Sequence, residues 1–217
     1  NQDYADQSLE AWIALQDLPQ IFDAPGWVQT LRADKLGDEF GKQYIIRGNG
    51  NEYQRLAEIK ATNAPLIIPV NFPDAYDVDD PYDAENVALA DMMHWELAPA
   101  NLGMLAQEGI PFTITSDGNK DDKTFLKNLR KAVQYGLPED AALKALTYTP
   151  AQLIQADNQL GSLQAGRVAN FIITSGNIFQ NDAMIYENWI QGKAFVINEI
   201  EKNDLRGEYT LAVGDET

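Results

Sequence analysis

The chain contains no cysteine, which excludes disulfides, thiolate nucleophiles, iron–sulfur ligation and cysteine zinc sites. His94 is its only histidine, so no histidine-rich zinc site can be assembled from these residues alone. Basic residues are scarce. Lys and Arg number 16 against 33 Asp and Glu, a formal charge of −17, and generic phosphate or nucleic-acid binding is excluded because it needs a basic surface. No apolar run approaches the roughly 20 residues of a membrane span. The first residue is Asn1 rather than Met and nothing at the start resembles a signal peptide. We therefore expect that the chain begins after processing or is cut from a longer protein. The acidity and missing cysteines suit a bacterial envelope or cytosolic protein, the envelope slightly ahead.

What is present is a foldable composition. The 217 residues are 45% hydrophobic and 10% aromatic, enough for one ordinary domain or two small ones with a sizeable core. Short contiguous apolar runs at 19–24, 43–48, 65–70 and 111–117 read as strands covered on both faces. Helical periodicity fills the intervals, at about 5–18, 27–40, 52–61, 84–95 and 99–109. In 5–18 the apolar face is Leu9, Trp12, Ile13 and Leu15; in 27–40 it is Val28, Leu31, Leu36 and Phe40, with Gly41 as the stop. Helices at 123–135 and 139–147 and a short turn of helix at 150–155 follow. Strands are then expected at 161–163, 170–174, 183–190 and 193–197, with Gln191-Gly192 as a hairpin turn.

Alternating strands and helices imply an α/β fold with a parallel sheet and helical crossovers. The strand runs end at Asp23, Gly48, Asn71 and Asp117, the edge where parallel sheets and barrels place their chemistry. Gly48-Asn49-Gly50 lacks the third glycine of a dinucleotide fingerprint and reads as a turn.

Several motifs in order carry a family resemblance. They are Gly109-Ile110-Pro111-Phe112-Thr113-Ile114-Thr115-Ser116-Asp117, then Tyr135-Gly136-Leu137-Pro138 running on to Thr147, and Thr149-Pro150-Ala151. After these come Leu160-Gly161-Ser162-Leu163, continuing to Ile173, and Trp189-Ile190-Gln191-Gly192-Lys193. Together they resemble the metal-dependent amidohydrolase superfamily, specifically its imidazolonepropionase-like branch. The resemblance implies the second half of a (β/α)8 TIM-type barrel over residues 1–156. Residues 157–217 would be a short antiparallel β tail from the family's small β-sandwich domain.

It also implies a hydrolase acting on C–N bonds of a small-molecule or peptide-like substrate, with a divalent metal, zinc foremost, in an intact member. Asp117 falls at the aspartate after the last barrel strand, which ligates the metal and accepts a proton from bound water. The fifth strand should end in histidine and here ends in Asp23, which leaves a carboxylate as a metal ligand. The sixth should supply histidine, and Arg47 or Gly48 stands there. A guanidinium cannot ligate a divalent cation, so the metal site is expected to be remodelled, with Arg47 and Asn71 facing substrate and Arg47 able to pair with Asp23 or Asp117. The competing reading is a catalytically degenerate scaffold or ligand-binding domain of a larger exported protein.

Half a barrel exposes two strand edges, so self-association or pairing with a missing N-terminal half is expected. The resemblance also implies that the family's His-x-His pair lies upstream, so the fragment alone should be inactive. The run Asp77-Val78-Asp79-Asp80-Pro81-Tyr82-Asp83 fails the EF-hand pattern, which requires glycine where Tyr82 stands, and reads as a solvated acidic loop or an irregular calcium site. His94, between Met93 and Trp95, reads as a packed residue rather than a ligand.

Overall fold

Four short apolar strands form the centre of the molecule, because their contiguous branched side chains can be buried only between layers. The computed structural model describes residues 6–200. The strands are β1 (Ile21–Asp23), β2 (Ile45–Arg47), β3 (Leu66–Pro69) and β4 (Phe112–Thr115), each shorter than its apolar run. They lie in the order β1-β2-β3-β4, every pair parallel. The register sets Asp23 level with Arg47, Arg47 with Ile67, and Ile67 with Thr113.

The crossovers are α2 (Trp27–Phe40) between β1 and β2, then a 3-10 turn Glu52–Arg55 running into α3 (Leu56–Ala61). After β3 come α4 (Pro81–Asn86), α5 (Leu89–Leu97), a 3-10 turn Ala98–Ala100 and α6 (Asn101–Glu108). α1 (Gln7–Ala14) precedes the sheet. Beyond β4 lie α7 (Asp122–Gln134), α8 (Glu139–Leu146) and α9 (Tyr148–Leu153). The Gly41 and Gly109 C-caps are left-handed, as glycine permits.

One side of the sheet is sealed. Ile46, Leu66, Ile68 and Val70 pack on Ile59, Leu102, Leu105, Leu129 and Leu137, all essentially without exposure. The side chains that alternate with them face the other way: Ile45 and Thr113 are buried there, whereas Ile21, Asp23, Arg47 and Thr115 are not. α7 turns its expected face inward, burying Leu129 and Ala132 with Phe125, Leu126 and Val133 against the core.

A smaller antiparallel sheet, β5 (Phe171–Thr174), β6 (Ile185–Ile190) and β7 (Lys193–Val196), follows in the order β5-β6-β7. Gln191 and Gly192 both have positive φ, 51° and 78°, the handedness a two-residue hairpin turn needs. Arg130 of α7 fastens the approach to this sheet by donating to the carbonyls of Ile178, Asn181 and Ala183 at 3.0, 3.2 and 2.8 Å. The C-terminal part of the expected tail, 201–217, lies outside the described residues, as does the start of the 5–18 helix.

Local expectations fail in four places. The helix expected at 84–95 is two helices, because Asp80 caps Tyr82 and starts α4 early, and the backbone is extended at Val87 and Ala88. The expected strand at 161–163 is a bend: Gly161 has φ +83° and sits so close to α8 and α9 that a Cβ would lie 2.9 Å from Thr147 O. In α2 the buried residues are Thr30, Ala33 and Gly37, while Leu36 and Phe40 are exposed. α1 buries none of its apolar residues.

Candidate functional site

β1 and β2 end together, and their register places Asp23 beside Arg47 on the open side of the sheet. Arg47 Nη1 donates to Asp23 Oδ1 at 2.8 Å. Its other terminal nitrogen, Nη2, donates to Asp117 Oδ2. The second pairing depends on how the chain leaves β4. Asp117 is four residues beyond Thr113 and two strands across from Arg47, about 16 Å away on a flat extended ladder. That is farther than the two side chains span together. The contact exists because the chain turns at Asp117 and Gly118, where φ is +76°, and folds back over the strand ends.

The guanidinium is 36% exposed and bridges two carboxylates on different strands. The hydrogen bond that Arg47 donates to Asp117, together with the charges of Asp117 and Asp23, raises the Arg47 pKa above its ordinary value despite the opposing effect of partial burial. Arg47 is thus a fixed cation at this edge.

Asn71, two residues past β3, is exposed on the same edge. It abuts the β4 turn so closely that a Cβ on Gly118 would lie 2.6 Å from Asn71 Nδ2. The structure therefore brings Asp23, Arg47 and Asp117 into one charged cluster and leaves Asn71 beside it, against the turn that carries Asp117.

Beneath this edge lies a carboxylate that sequence reading leaves as an ordinary helix-start residue. Glu52 is 0% exposed. Its Oε1 accepts from the backbone N–H groups of Asn49 and Gly50 at 3.1 and 3.3 Å, and its Oε2 accepts from Asn101 Nδ2 at 2.7 Å. Asn101 Oδ1 in turn accepts from Tyr53 N–H at 2.8 Å. A Cβ on Gly48 would run into Glu52 Oε1. The available signal was a donor-rich turn, Gly48-Asn49-Gly50-Asn51, immediately before an acid. Its other half, Asn101, is remote in sequence.

His94 is half-buried, with Nδ1 3.1 Å from Tyr53 Oη and its ring stacked on Tyr53, so it packs rather than facing the charged cluster. In the acidic segment, Asp77 and Asp80 accept from the backbone N–H groups of Asp79 and Tyr82. Among the described residues no group of three or more His, Asp or Glu converges as a metal shell. Asp23 and Asp117 are two oxygen donors with a resident guanidinium between them, so by themselves they do not fit a divalent ion. No helix among the described residues is long and apolar enough to cross a membrane.

No curated protein matches the chain in sequence. Among solved structures, the fold is similar to an amidohydrolase from Thermotoga maritima MSB8, with TM-score 0.67 and 19% identity over 90% of this chain and 49% of that one. It is also similar to A. niger ochratoxinase, with TM-score 0.55 and 18% identity over 89% of this chain and 46% of that one. A third is a prolidase complexed with N-methylphosphonate-L-proline, with TM-score 0.54 and 14% identity over 81% of this chain and 44% of that one. The chain spans about half the length of the structures it matches. Residues 97–199 match the sequence model of the Amidohydrolase family, covering α6, β4 and everything through β7. Residues 97–199 are thus similar in sequence to the Amidohydrolase family, and the chain shares an α/β fold with the structures named above.

Proposed function

We propose that the chain is the C-terminal part of an amidohydrolase-type hydrolase that cleaves C–N bonds of a small or peptide-like substrate. In this reading β1–β4 are the second half of a (β/α)8 barrel and β5–β7 belong to the small β domain. The motif order from Gly109 to Lys193 supports the imidazolonepropionase-like branch. The observation that carries the proposal is the fold-back of Asp117 over the C-terminal ends of a parallel sheet in sequential order. Barrel enzymes build their sites on that edge. The prolidase among the structural neighbours supports amide-type substrates.

In such a parent a divalent ion, zinc foremost, would supply Lewis-acid activation of a water molecule near neutral pH. Its imidazole ligands would have to come from residues outside this chain, with Asp117 as the catalytic carboxylate; Arg47 and Asn71 would face the substrate. Arg47 marks a remodelled centre, and the same residue favours the second reading, a barrel kept as a scaffold. Pairing with an N-terminal half is supported at the β1 edge. There Ile21 is 60% exposed beside exposed Trp12, Ile13, Leu36 and Phe40, around a cavity of about 660 Å³.

Elemental analysis of the full-length parent tests the proposal. Bound zinc, iron or manganese that is lost on Asp117→Ala, together with amide hydrolysis, is the expected result. A metal-free parent without hydrolysis would favour the scaffold.

A further inference from the structure

The segment that leaves β3 and the helix α5 enclose a pocket of about 420 Å³, separate from the Asp23–Arg47–Asp117 cluster. Its walls are Tyr76, Val78, Leu89, Met92, Met93 and Trp95, each between 40% and 72% exposed. α5 buries none of its residues. Scattered exposed apolar residues are ordinary, whereas six of them gathered around one cavity point to an interaction site. Methionine and tryptophan together make a wall that adapts to varied apolar side chains and also attracts cations through the indole face.

Charge decides what can fill it. No Lys or Arg occurs between Lys60 and Lys120. Asp74, Asp77, Asp91 and Glu96 alternate with the lining residues, all exposed, and none of them makes a salt bridge among the described residues. A second copy of this chain would bring the same carboxylates face to face. Nucleic acids and anionic lipid surfaces would be repelled for the same reason. We propose that this pocket docks a cationic, apolar polypeptide segment, one in which Lys or Arg flanks a large aliphatic or aromatic side chain. The apolar side chain would enter between Met92, Met93 and Trp95, and the flanking cations would meet the aspartates around them. The proposal does not depend on the hydrolase reading, since no residue of the charged cluster takes part.

The test uses the full chain and a short fluorescein-labelled peptide of Lys, Leu and Gly, followed by anisotropy at low and high salt. Its comparators replace every Lys by Glu or every Leu by Gly. The expected result is saturable binding of the Lys–Leu peptide, weakened at high salt, with both comparators at least about tenfold weaker. The double variant Leu89→Ser/Met92→Ser should lose about tenfold in affinity through lost apolar contact. The triple variant Asp74→Asn/Asp77→Asn/Asp91→Asn should lose a similar factor together with the salt dependence. All five positions are exposed, and circular dichroism checks that both variants fold. Equal binding of the Lys–Gly peptide would reduce the site to a charge effect and overturn the proposal. Equal binding of the Glu–Leu peptide, or no binding at all, would overturn it too. So would a concentration-dependent dimer abolished by the Leu89/Met92 variant, because a second copy would then be the occupant.

Discussion

Two carboxylate settings lie one above the other at the end of β2. Glu52 is fully buried and held by neutral donors, two backbone N–H groups and the Asn101 amide. Asp23 and Asp117 are exposed and held by a cation, Arg47. The contrast separates support from chemistry. A buried carboxylate that lost a donor would have no water to replace it, so Glu52 fixes the turn after β2. The exposed pair keeps its solvent contact and can be re-partnered by a ligand at little cost.

The largest effect should follow from intruding on the lower setting. Gly48→Ala places a methyl group where Glu52 Oε1 sits, and the carboxylate must leave its donors. We expect a loss of about 3 kcal/mol, the scale of breaking a buried polar network, measured by urea unfolding. A loss below about 1 kcal/mol would mean that the turn has room to shift, and the contrast would fail.

Glu52→Gln is subtler. Its carbonyl oxygen can still accept from Asn49 and Gly50, but its NH2 would then face Asn101 Nδ2. Asn101 cannot simply flip, because its oxygen is engaged by Tyr53 N–H. Two donors facing one another should cost about 1–3 kcal/mol. The double variant with Asn101→Asp, which restores an acceptor there, should recover part of it.

Arg47→Met acts on the upper setting. Exposed ion pairs are worth little, so stability should change by less than about 1 kcal/mol, and by still less at high salt. A fall as large as that of Gly48→Ala would show that the open edge is structural after all.

The same pair of settings shows what could be read from sequence. The strand positions, their parallel order, the caps at Gly41 and Gly109 and the pairing of Arg47 with acids were legible, because they follow from local period, glycine and charge. The inward turn at Asp117 carried a local signal in Ser116-Asp117-Gly118. Glu52 was not legible. Its burial depends on Asn101 arriving from the far side of two crossovers, and no local pattern reports that. The outward-facing Leu36 and Phe40 failed for a related reason: helical period marks an apolar stripe without saying whether anything covers it. The acidic segment was legible as charge, whereas the apolar pocket within it needed α5 to be set against Tyr76 and Val78.

The smallest effects come from two aspartates whose environments push them in opposite directions, and they test whether helix position alone separates support from cost. Asp121 caps α7, accepting from Thr124 N–H at 2.7 Å, and that hydrogen bond holds its pKa below the ordinary carboxylate value. A lowered folded pKa means that its contribution is present above the unfolded value, near pH 4, and is lost as pH falls through the folded one. Asp34, in the middle of α2, has its pKa raised by partial burial and by Asp38 one turn on. A raised acid pKa reverses the sign: the folded state favours the proton, and stability is lost as pH rises from the unfolded value through the folded one. At neutral pH Asp34→Asn should therefore raise the melting temperature slightly. Asp121→Asn, which keeps an oxygen acceptor, should leave the neutral value nearly unchanged and flatten the acid limb below pH 4. Melting curves of both variants between pH 3 and 8 check the two signs together. If Asp34→Asn lowers the melting temperature at neutral pH, its charge serves α2 through a contact that outweighs Asp38, and the mid-helix carboxylate belongs with the supports.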